Sequence, residues 1–224
     1  AWIDGVNYRF NKYGNRVYDR TSEFKRNRYY LECDRTNGVM TVYTDSNKKY
    51  PIKTIRVSVG NPTSLTIAGT FTLTRSLRWQ PLMGPSWGQY GTHVDGAGQG
   101  GIFVHSVACG QANSYNLPAV EYNKLGSPAS HGCIRTCVAD AKWVYENCNG
   151  APISIIDGKY KILNKIGQGG MSVVYLAMNE RANKQWAIKE VRKDGVKDYD
   201  VVRQGLIAET DILKRLNHPH LPSI

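Results

Sequence analysis

The sequence lacks any run of about eighteen apolar residues, which is the length that a membrane-spanning helix requires. We therefore expect no membrane span. It begins with Ala1, without an initiator methionine or a signal peptide, so we expect a processed or partial product. The net charge of +11 comes from dispersed basic residues, without any motif for binding nucleic acid. We expect a solvated basic surface and no nucleic acid partner.

A phosphate-binding signature is also missing. Residues 96–101 are rich in glycine, but no Lys-Ser or Lys-Thr follows, so we do not predict a phosphate-binding loop there.

The number of cysteines is odd, so at least one thiol must be free. Cys137 and Cys148 fall on one predicted helix, about 16 Å apart, which is too far for a disulfide. A bridge from Cys109 to either of them remains open.

The most informative stretch is Ser130-His131-Gly132-Cys133. A lone cysteine is most often a small buried hydrophobic residue. Here a second histidine, His105, ends an apolar run upstream, and a cysteine needs such a base to become a nucleophilic thiolate. Gly132 lets a substrate carbonyl approach the backbone closely. We expect the amides of Gly132 and Cys133 to form an oxyanion hole.

The string Ser-His-Gly-Cys-Ile-Arg, with Phe-Val-His-Ser upstream, resembles the L,D-transpeptidase (YkuD-type) family of bacterial cell-wall enzymes. The resemblance covers residues 28–157. It implies that Cys133 is the nucleophile, that His105 is the general base, and that His131 and Gly132 flank the oxyanion site. Ser130 matches the Ser/Thr position of the family pattern. The resemblance implies no metal and no cofactor for this part of the chain.

Two departures from the family pattern affect the site. The spacer between His105 and Ser130 is longer than usual, so we expect residues 107–123 to form a loop over the cleft. Arg135 stands where asparagine is common. An arginine there suits bidentate binding of a substrate carboxylate, and the alternative is a surface ion pair.

The implied activity is peptidoglycan L,D-transpeptidation. Cys133 would form a thioester with a stem peptide, and an acceptor amine would then take the acyl group to form a cross-link. Water in place of the amine would give a carboxypeptidase. The implied partners are stem peptides and the cell wall, and the implied location is extracellular.

The sequence predicts an α+β fold with a largely antiparallel sheet. Short β-rich segments alternate with Asn-Gly-type turns, and apolar residues recur at helical spacing over residues 138–148, after the Cys motif. Trp79, Trp87 and Tyr90 fall in a loop broken by Gly and Pro, where they either line a groove or belong to the core. The predicted strands are residues 29–33, 39–43, 51–59, 69–74, 102–104 and 152–156.

The first 27 residues form a separate predicted segment. Asp4-Gly5 is a hairpin turn signal, and Tyr8 and Phe10 alternate as strand residues do. The segment is interpreted as a hairpin and charged linker, or as the remnant of a cell-wall-binding repeat. A non-enzymatic wall-binding module is therefore an alternative function.

The character of the sequence changes at residue 158. Strands flanking a Gly-rich turn, followed by Ala-Ile-Lys, are suited to lay backbone and a positive charge over phosphates. Residues 158–224 resemble the N-terminal lobe of a bacterial Ser/Thr protein kinase. In that resemblance Gly167, Gly169, Val174 and Lys189 match nucleotide-binding positions. Glu209, on a predicted helix, matches the ion-pair partner of the lysine.

Neither His-Arg-Asp nor Asp-Phe-Gly follows in this sequence, so the kinase base and magnesium ligand are missing. We therefore expect no phosphoryl transfer and at most weak ATP binding; a kinase-derived nucleotide-binding fragment is the second alternative function. A kinase-like part would be cytoplasmic, whereas a transpeptidase works on the wall. This conflict suggests an abnormal, truncated fusion.

Overall fold

The structure is a computed structural model that describes residues 1–98, 101–158, 160–169, 172–179 and 184–191, and the individual residues 201, 204, 205 and 208. It divides into two compact units, Ala1–Gly158 and Lys159–Ile224. Within the described residues, no helix is both long and apolar enough to cross a membrane.

The first unit is mostly β-structure with two short helices. Its strands are β1 (Trp2–Ile3), β2 (Val6–Asn7), β3 (Tyr30–Asp34), β4 (Val39–Tyr43), β5 (Pro51–Arg56), β6 (Gly69–Arg75), β7 (Trp79–Leu82), β8 (Ser86–Gln89), β9 (Thr92–Asp95), β10 (Ile102–Ser106), β11 (Ile134–Thr136) and β12 (Pro152–Ile156). Its helices are α1 (Ala119–Asn123) and α2 (Val138–Asn147).

Eight of these strands form one sheet in the order β11-β10-β9-β6-β12-β3-β4-β5. Two pairs are parallel, β10 with β11 and β12 with β3. The other five neighbouring pairs are antiparallel, so the sheet is largely antiparallel, as the sequence predicted, with two parallel pairs that the sequence did not indicate. A parallel pair needs a long crossover, and the segment between β10 and β11 supplies one.

The core lies along this sheet and buries the alternate apolar side chains of its strands. Helix α2 packs beside it through Ala141 and Val144, which are both buried. The largest fully buried apolar side chains are Leu31, Met40, Ile52, Ile55, Leu73, Ile134, Ile153 and Ile155.

The first 27 residues are packed against edge strand β5. Strands β1 and β2 form the antiparallel hairpin that the turn signal predicts. The segment predicted as a linker instead makes backbone hydrogen bonds to β5, from Arg20 N–H to Ile52 O (2.6 Å) and from Thr54 N–H to Tyr18 O (2.9 Å). These bonds cover a sheet edge that would otherwise expose unpaired backbone groups.

Lys53 ties this segment to helix α2. Its Nζ lies 2.7 Å from the Asp19 carboxylate and 2.9 Å from the Asp140 carboxylate. The lysine side chain is 11% exposed. Burial alone would lower the pKa of Lys53, but the hydrogen bonds that its ammonium group donates to the two carboxylates, together with their negative charges, outweigh burial and raise the pKa, so the lysine stays charged.

The aromatic residues that the sequence placed in an irregular loop lie in a hairpin. Trp79 begins β7 and Trp87 lies on β8, and the two strands pair in antiparallel register. Trp87 also exchanges two backbone hydrogen bonds with Cys109, at 2.8 and 2.9 Å. These long-range contacts anchor the hairpin beside the end of β10.

All five cysteines lie in the described part of the chain and are free thiols. The bridge from Cys109 that the sequence left open is not formed. Its Sγ instead donates a hydrogen bond to the carbonyl of Gln111 (3.1 Å). Cys137 and Cys148 occupy the two ends of α2 as its cap residues.

The second unit contains a three-stranded antiparallel sheet in the order β13-β14-β15. The strands are β13 (Tyr160–Gln168), β14 (Ser172–Asn179) and β15 (Lys184–Val191). Val173 and Ala177 of β14 are buried. The predicted helix that carries Glu209 lies largely outside the described residues, and Glu209 itself is not among them.

We predict that Lys53→Met loosens the first 27 residues. The substitution removes the shared cation and leaves Asp19 and Asp140 without it, so the free energy of unfolding should fall by about 1–2 kcal/mol. Hydrogen–deuterium exchange at the amides of Arg20 and Thr54 should speed up.

Lys142→Met is the matched control. Its ion pair with Glu146 is long (3.8 Å) and about half exposed at both ends. Such pairs contribute roughly 0–1 kcal/mol, so exchange at Arg20 and Thr54 should stay at the wild-type rate. Equal exchange rates in both variants would contradict a role for Lys53 in holding the segment.

Candidate active site

Strands β10 and β11 bring the predicted nucleophile and base together. They pair in parallel, with Val104 opposite Ile134 and His105 opposite Arg135. Cys133 directly precedes β11, so the pairing places it next to Phe103. A hydrogen bond from the Phe103 backbone reaches the Cys133 sulfur. Residues 103 and 105 share one face of β10, which directs His105 toward the cysteine side of the strand.

Cys133 and His105 line the same cavity, which has a volume of about 330 Å³. His131 and Arg135 line it too, and the hairpin β7–β8 contributes part of the opposite wall. Four of the six predicted site residues of the transpeptidase part therefore face one space. The other two, Ser130 and Gly132, are buried beneath it.

The imidazole of His105 is held as a neutral base. The ring is almost wholly buried, with 1% of the residue exposed. Its Nδ1 is hydrogen-bonded to the carbonyl oxygen of Ser106. A carbonyl only accepts, so Nδ1 must carry the proton, and Nε2 is left with its lone pair.

Burial lowers the pKa of His105 to about 4, because a charged imidazolium would lose its hydration. The bond to the Ser106 carbonyl raises the pKa, and the nearby Arg135 charge lowers it further. The imidazole is therefore uncharged at neutral pH and able to accept a proton.

The Cys133 thiol is also neutral at rest. Burial raises the pKa of Cys133, and the Phe103 backbone bond and the Arg135 charge offset only part of that effect. A neutral thiol facing a neutral imidazole favours proton transfer during attack over a preformed ion pair.

The turn before Cys133 is clamped by two hydroxyl groups. Ser130 Oγ donates to the Cys133 carbonyl and accepts the Gly132 N–H at 3.1 Å. Thr66 Oγ1 donates to the Gly132 carbonyl at 2.7 Å and accepts the Gly60 N–H at 2.8 Å. Gly132 has φ +114°, a conformation that favours glycine. Ser130 is therefore a residue that shapes the turn.

The hydrogen bonds of this turn reduce the number of free amide donors for the expected oxyanion hole. The Gly132 amide already donates to Ser130 Oγ, so a substrate oxyanion would compete with that hydroxyl for it. The Cys133 amide is the other donor that the sequence suggested. We expect it to carry the greater share of any charge stabilisation.

Arg135 lines the cavity and is bonded to the segment predicted to cover the cleft. Its guanidinium donates to the Glu121 carboxylate on α1 at 3.0 Å, and its side chain is 15% exposed. Among the described residues its Nε is buried without a hydrogen-bond partner. Arg135 thus forms an ion pair within the cleft, with the preceding helix α1, whereas the alternative from the sequence was a surface ion pair at the start of the next helix.

A second cavity of about 440 Å³ adjoins the first. The two share Ser86, Ala108, His131 and Arg135 in their walls. The second is also bordered by Glu121, so its lining carries both signs of charge. The cleft therefore has two arms that meet at His131 and Arg135.

In the second unit, three predicted nucleotide-binding residues lie side by side across the sheet. Gly167 pairs with Val174, and Val174 pairs with Lys189. Gly169 follows β13 and its N–H bonds the Ser172 carbonyl at 2.8 Å. Glu209, the predicted partner of Lys189, lies outside the described residues.

Some residues of the site were not identified from the sequence. Thr66 and Glu121 contact the motif from distant segments, and no local pattern marks them. Ser106 follows His105 in the motif, but its contribution is a backbone carbonyl. Within the described residues, no group of three or more His, Cys, Asp or Glu side chains is arranged to hold a metal ion.

Comparison with known proteins found a family model that matches each unit. The family model for the L,D-transpeptidase catalytic domain matches residues 28–156, and the model for the protein kinase domain matches residues 160–224. YciB of Bacillus subtilis, whose name places it among the L,D-transpeptidases, is 48% identical over 48 residues, which are 21% of this chain and 24% of YciB. The serine/threonine-protein kinase PrkC of Bacillus subtilis is 39% identical over 69 residues, which are 31% of this chain and 10% of PrkC.

The chain thus spans a quarter or less of the length of these two relatives. Among solved structures, an L,D-transpeptidase from Mycobacterium smegmatis is 22% identical with a TM-score of 0.43, covering 57% of this chain and 58% of that one. The LD transpeptidase LdtMt1 in complex with imipenem is 21% identical with a TM-score of 0.45 and the same two coverages. Because the first family model covers more than half of the sequence, this chain belongs to the L,D-transpeptidase catalytic domain family.

Proposed function

We propose that this chain is a peptidoglycan L,D-transpeptidase that acts through a thioester on Cys133. The observation that carries the proposal is the neutral, Ser106-bound imidazole of His105 in the same cavity as the Cys133 thiol. Family membership supports an activity on peptidoglycan in general. The site lies on rigid strands, which suits a reaction that depends on alignment.

In the first half of the reaction, His105 Nε2 takes the thiol proton as the sulfur attacks the carbonyl of a stem peptide. The Cys133 amide stabilises the resulting oxyanion. The carbon–nitrogen bond to the terminal residue then breaks, and the imidazolium returns the proton to the leaving amine. The product is a thioester on Cys133.

In the second half, the amine of another stem attacks the thioester carbonyl. His105 takes the proton that the attacking amine loses, and it returns a proton to the sulfur as the carbon–sulfur bond breaks. The new amide is the cross-link. The two arms of the cleft, which meet at His131 and Arg135, offer separate places for donor and acceptor.

We assign Arg135 to the carboxylate of the stem peptide. Among the residues that the structure describes, its Nε is buried without a hydrogen-bond partner, and its Nη1 donates to Glu121. A substrate carboxylate is suited to the remaining donors.

A second candidate function concerns residues 160–224. The alignment of Gly167, Val174 and Lys189 across three strands favours a remnant of a nucleotide site. Weak ATP binding stays a prediction.

We predict that imipenem acylates Cys133. A β-lactam presents a strained amide carbonyl that an activated thiol opens to a stable thioester. Intact-mass spectrometry should show one adduct on the wild type and none on Cys133→Ala. His105→Ala should be acylated at least about 100-fold more slowly, since general-base catalysis contributes roughly that factor.

Absence of an adduct on folded wild-type protein would reject the transpeptidase proposal. Wall binding that persists in Cys133→Ala, with no wild-type activity, would instead favour the wall-binding module. ATP binding without acylation would favour the kinase-derived fragment.

The pH dependence of acylation should reflect the uncharged resting forms of Cys133 and His105. Because burial lowers the pKa of His105 to about 4, the base stays unprotonated as the pH falls toward that value and is lost below it. The rate should therefore be flat through neutral pH, drop at acidic pH, and rise again as Cys133 ionises at alkaline pH. His105→Ala should lose the plateau and keep the alkaline rise. An acidic limb centred near the ordinary histidine pKa would contradict this description of the site.

Arg135→Met should weaken the capture of a stem tetrapeptide. A charge-assisted hydrogen bond contributes about 1.5–3 kcal/mol, so KM should rise roughly 10- to 100-fold. Alkylation of Cys133 by neutral iodoacetamide should change far less, since it does not require carboxylate binding.

Glu121→Gln is the companion variant. It removes the charge that competes for Arg135, so KM should stay level or fall. If Arg135→Met left KM unchanged, the assignment of this residue to the substrate carboxylate would be wrong.

A further inference from the structure

Gly88 lies directly against the imidazole of His105. A β-carbon added at residue 88 would lie 2.5 Å from Nδ1, 2.8 Å from Cγ and 3.0 Å from Cβ of the histidine. The φ of Gly88 is outside the left-handed region that favours glycine, so its backbone would accept other residues. Contact with the ring is therefore the reason that a side chain does not fit.

Hydrogen bonds fix the backbone of β8 on both sides of Gly88. Trp87 exchanges two backbone hydrogen bonds with Cys109, and the Gln89 N–H donates to Ser106 Oγ at 2.8 Å. Ser106 Oγ in turn donates to the Val107 carbonyl at 3.0 Å. Since the strand is pinned to the segment that follows His105, an added methyl group would displace the ring more readily than the strand.

Displacement of the His105 ring would move Nε2, the atom that accepts the thiol proton. Ordinary contact begins at 3.4 Å, so the ring must move by about 1 Å to accept a methyl group at residue 88. That shift is enough to break the Nδ1 bond to the Ser106 carbonyl, which fixes the tautomer, and to misdirect Nε2. A misplacement of this size can reduce a rate by about 100-fold.

We propose that Gly88 is a positioning residue for the catalytic base. Because Gly88 has no side chain, the His105 ring can occupy the adjacent space and keep its Nδ1 hydrogen-bonded to the Ser106 carbonyl. This inference rests on the proposed function for its effect on catalysis. Its structural part, the orientation of the ring, can be measured without any activity.

The test compares Gly88→Ala with Gly91→Ala in the full chain. An added β-carbon at Gly91 would crowd Gln80 of the same hairpin, at 2.7 Å, rather than His105. With imipenem at neutral pH, Gly88→Ala should be acylated about 10- to 100-fold more slowly than wild type, and Gly91→Ala within about threefold. The deficit of Gly88→Ala should shrink at alkaline pH, where the thiol ionises without a base.

A double-variant cycle separates positioning from general damage. If Gly88 acts through the ring, Gly88→Ala should change acylation by no more than about twofold in a His105→Ala background, where the two ring contacts are removed and only the contact with the β-carbon of residue 105, at 3.0 Å, is left. If Gly88→Ala alone fails to fold, the double variant should fold, because the ring it collides with is gone. A double variant that is tenfold or more slower than His105→Ala, or that also fails to fold, would overturn the proposal.

Nitrogen-15 NMR of the His105 ring provides the readout that does not depend on catalysis. Wild type should show protonation at Nδ1, and Gly88→Ala should shift or lose that signal. If wild type showed this tautomer but were not acylated, the proposed function would fail while the positioning role stood. Wild-type rates, pH profile and ring signals in Gly88→Ala would overturn the positioning role itself.

Discussion

The parallel pairing of β10 with β11 is the contact on which the rest of the site depends. It places Cys133, the residue before β11, beside Phe103, two residues before His105 on one strand face. Neither residue could act alone, because a buried thiol ionises poorly and a buried imidazole needs a partner within reach. The long segment between the two strands is a consequence of this pairing, since parallel neighbours require a crossover.

Burial determines the protonation states of Cys133 and His105. The same removal from water raises the pKa of Cys133 and lowers the pKa of His105, so both groups are uncharged at rest. The Ser106 carbonyl then selects the tautomer, and the hairpin β7–β8 closes over the ring from the other side. Arg135 adds the positive charge of the cleft, and Glu121 partly balances it.

The second unit matches a different family model from the first. Its sheet matches the protein kinase domain over residues 160–224, and three of its predicted nucleotide-binding residues are adjacent in register. The two units are separate and compact, so each can be tested by itself.

The sequence by itself determined the family of this protein and much of its local structure. Cys133, His105 and the Gly132 turn stand in a recognisable order, and alternation of apolar residues marked most strands, because both signals are local. Tertiary structure alone decided which strands pair in parallel, that Arg20 and Lys53 bind the first residues to β5, and that Trp79 and Trp87 form a hairpin. It also brought Thr66, Glu121 and Gly88 to the site. Such contacts join segments far apart in the chain, and they depend on shape and hydrogen-bond geometry that no short-range pattern encodes.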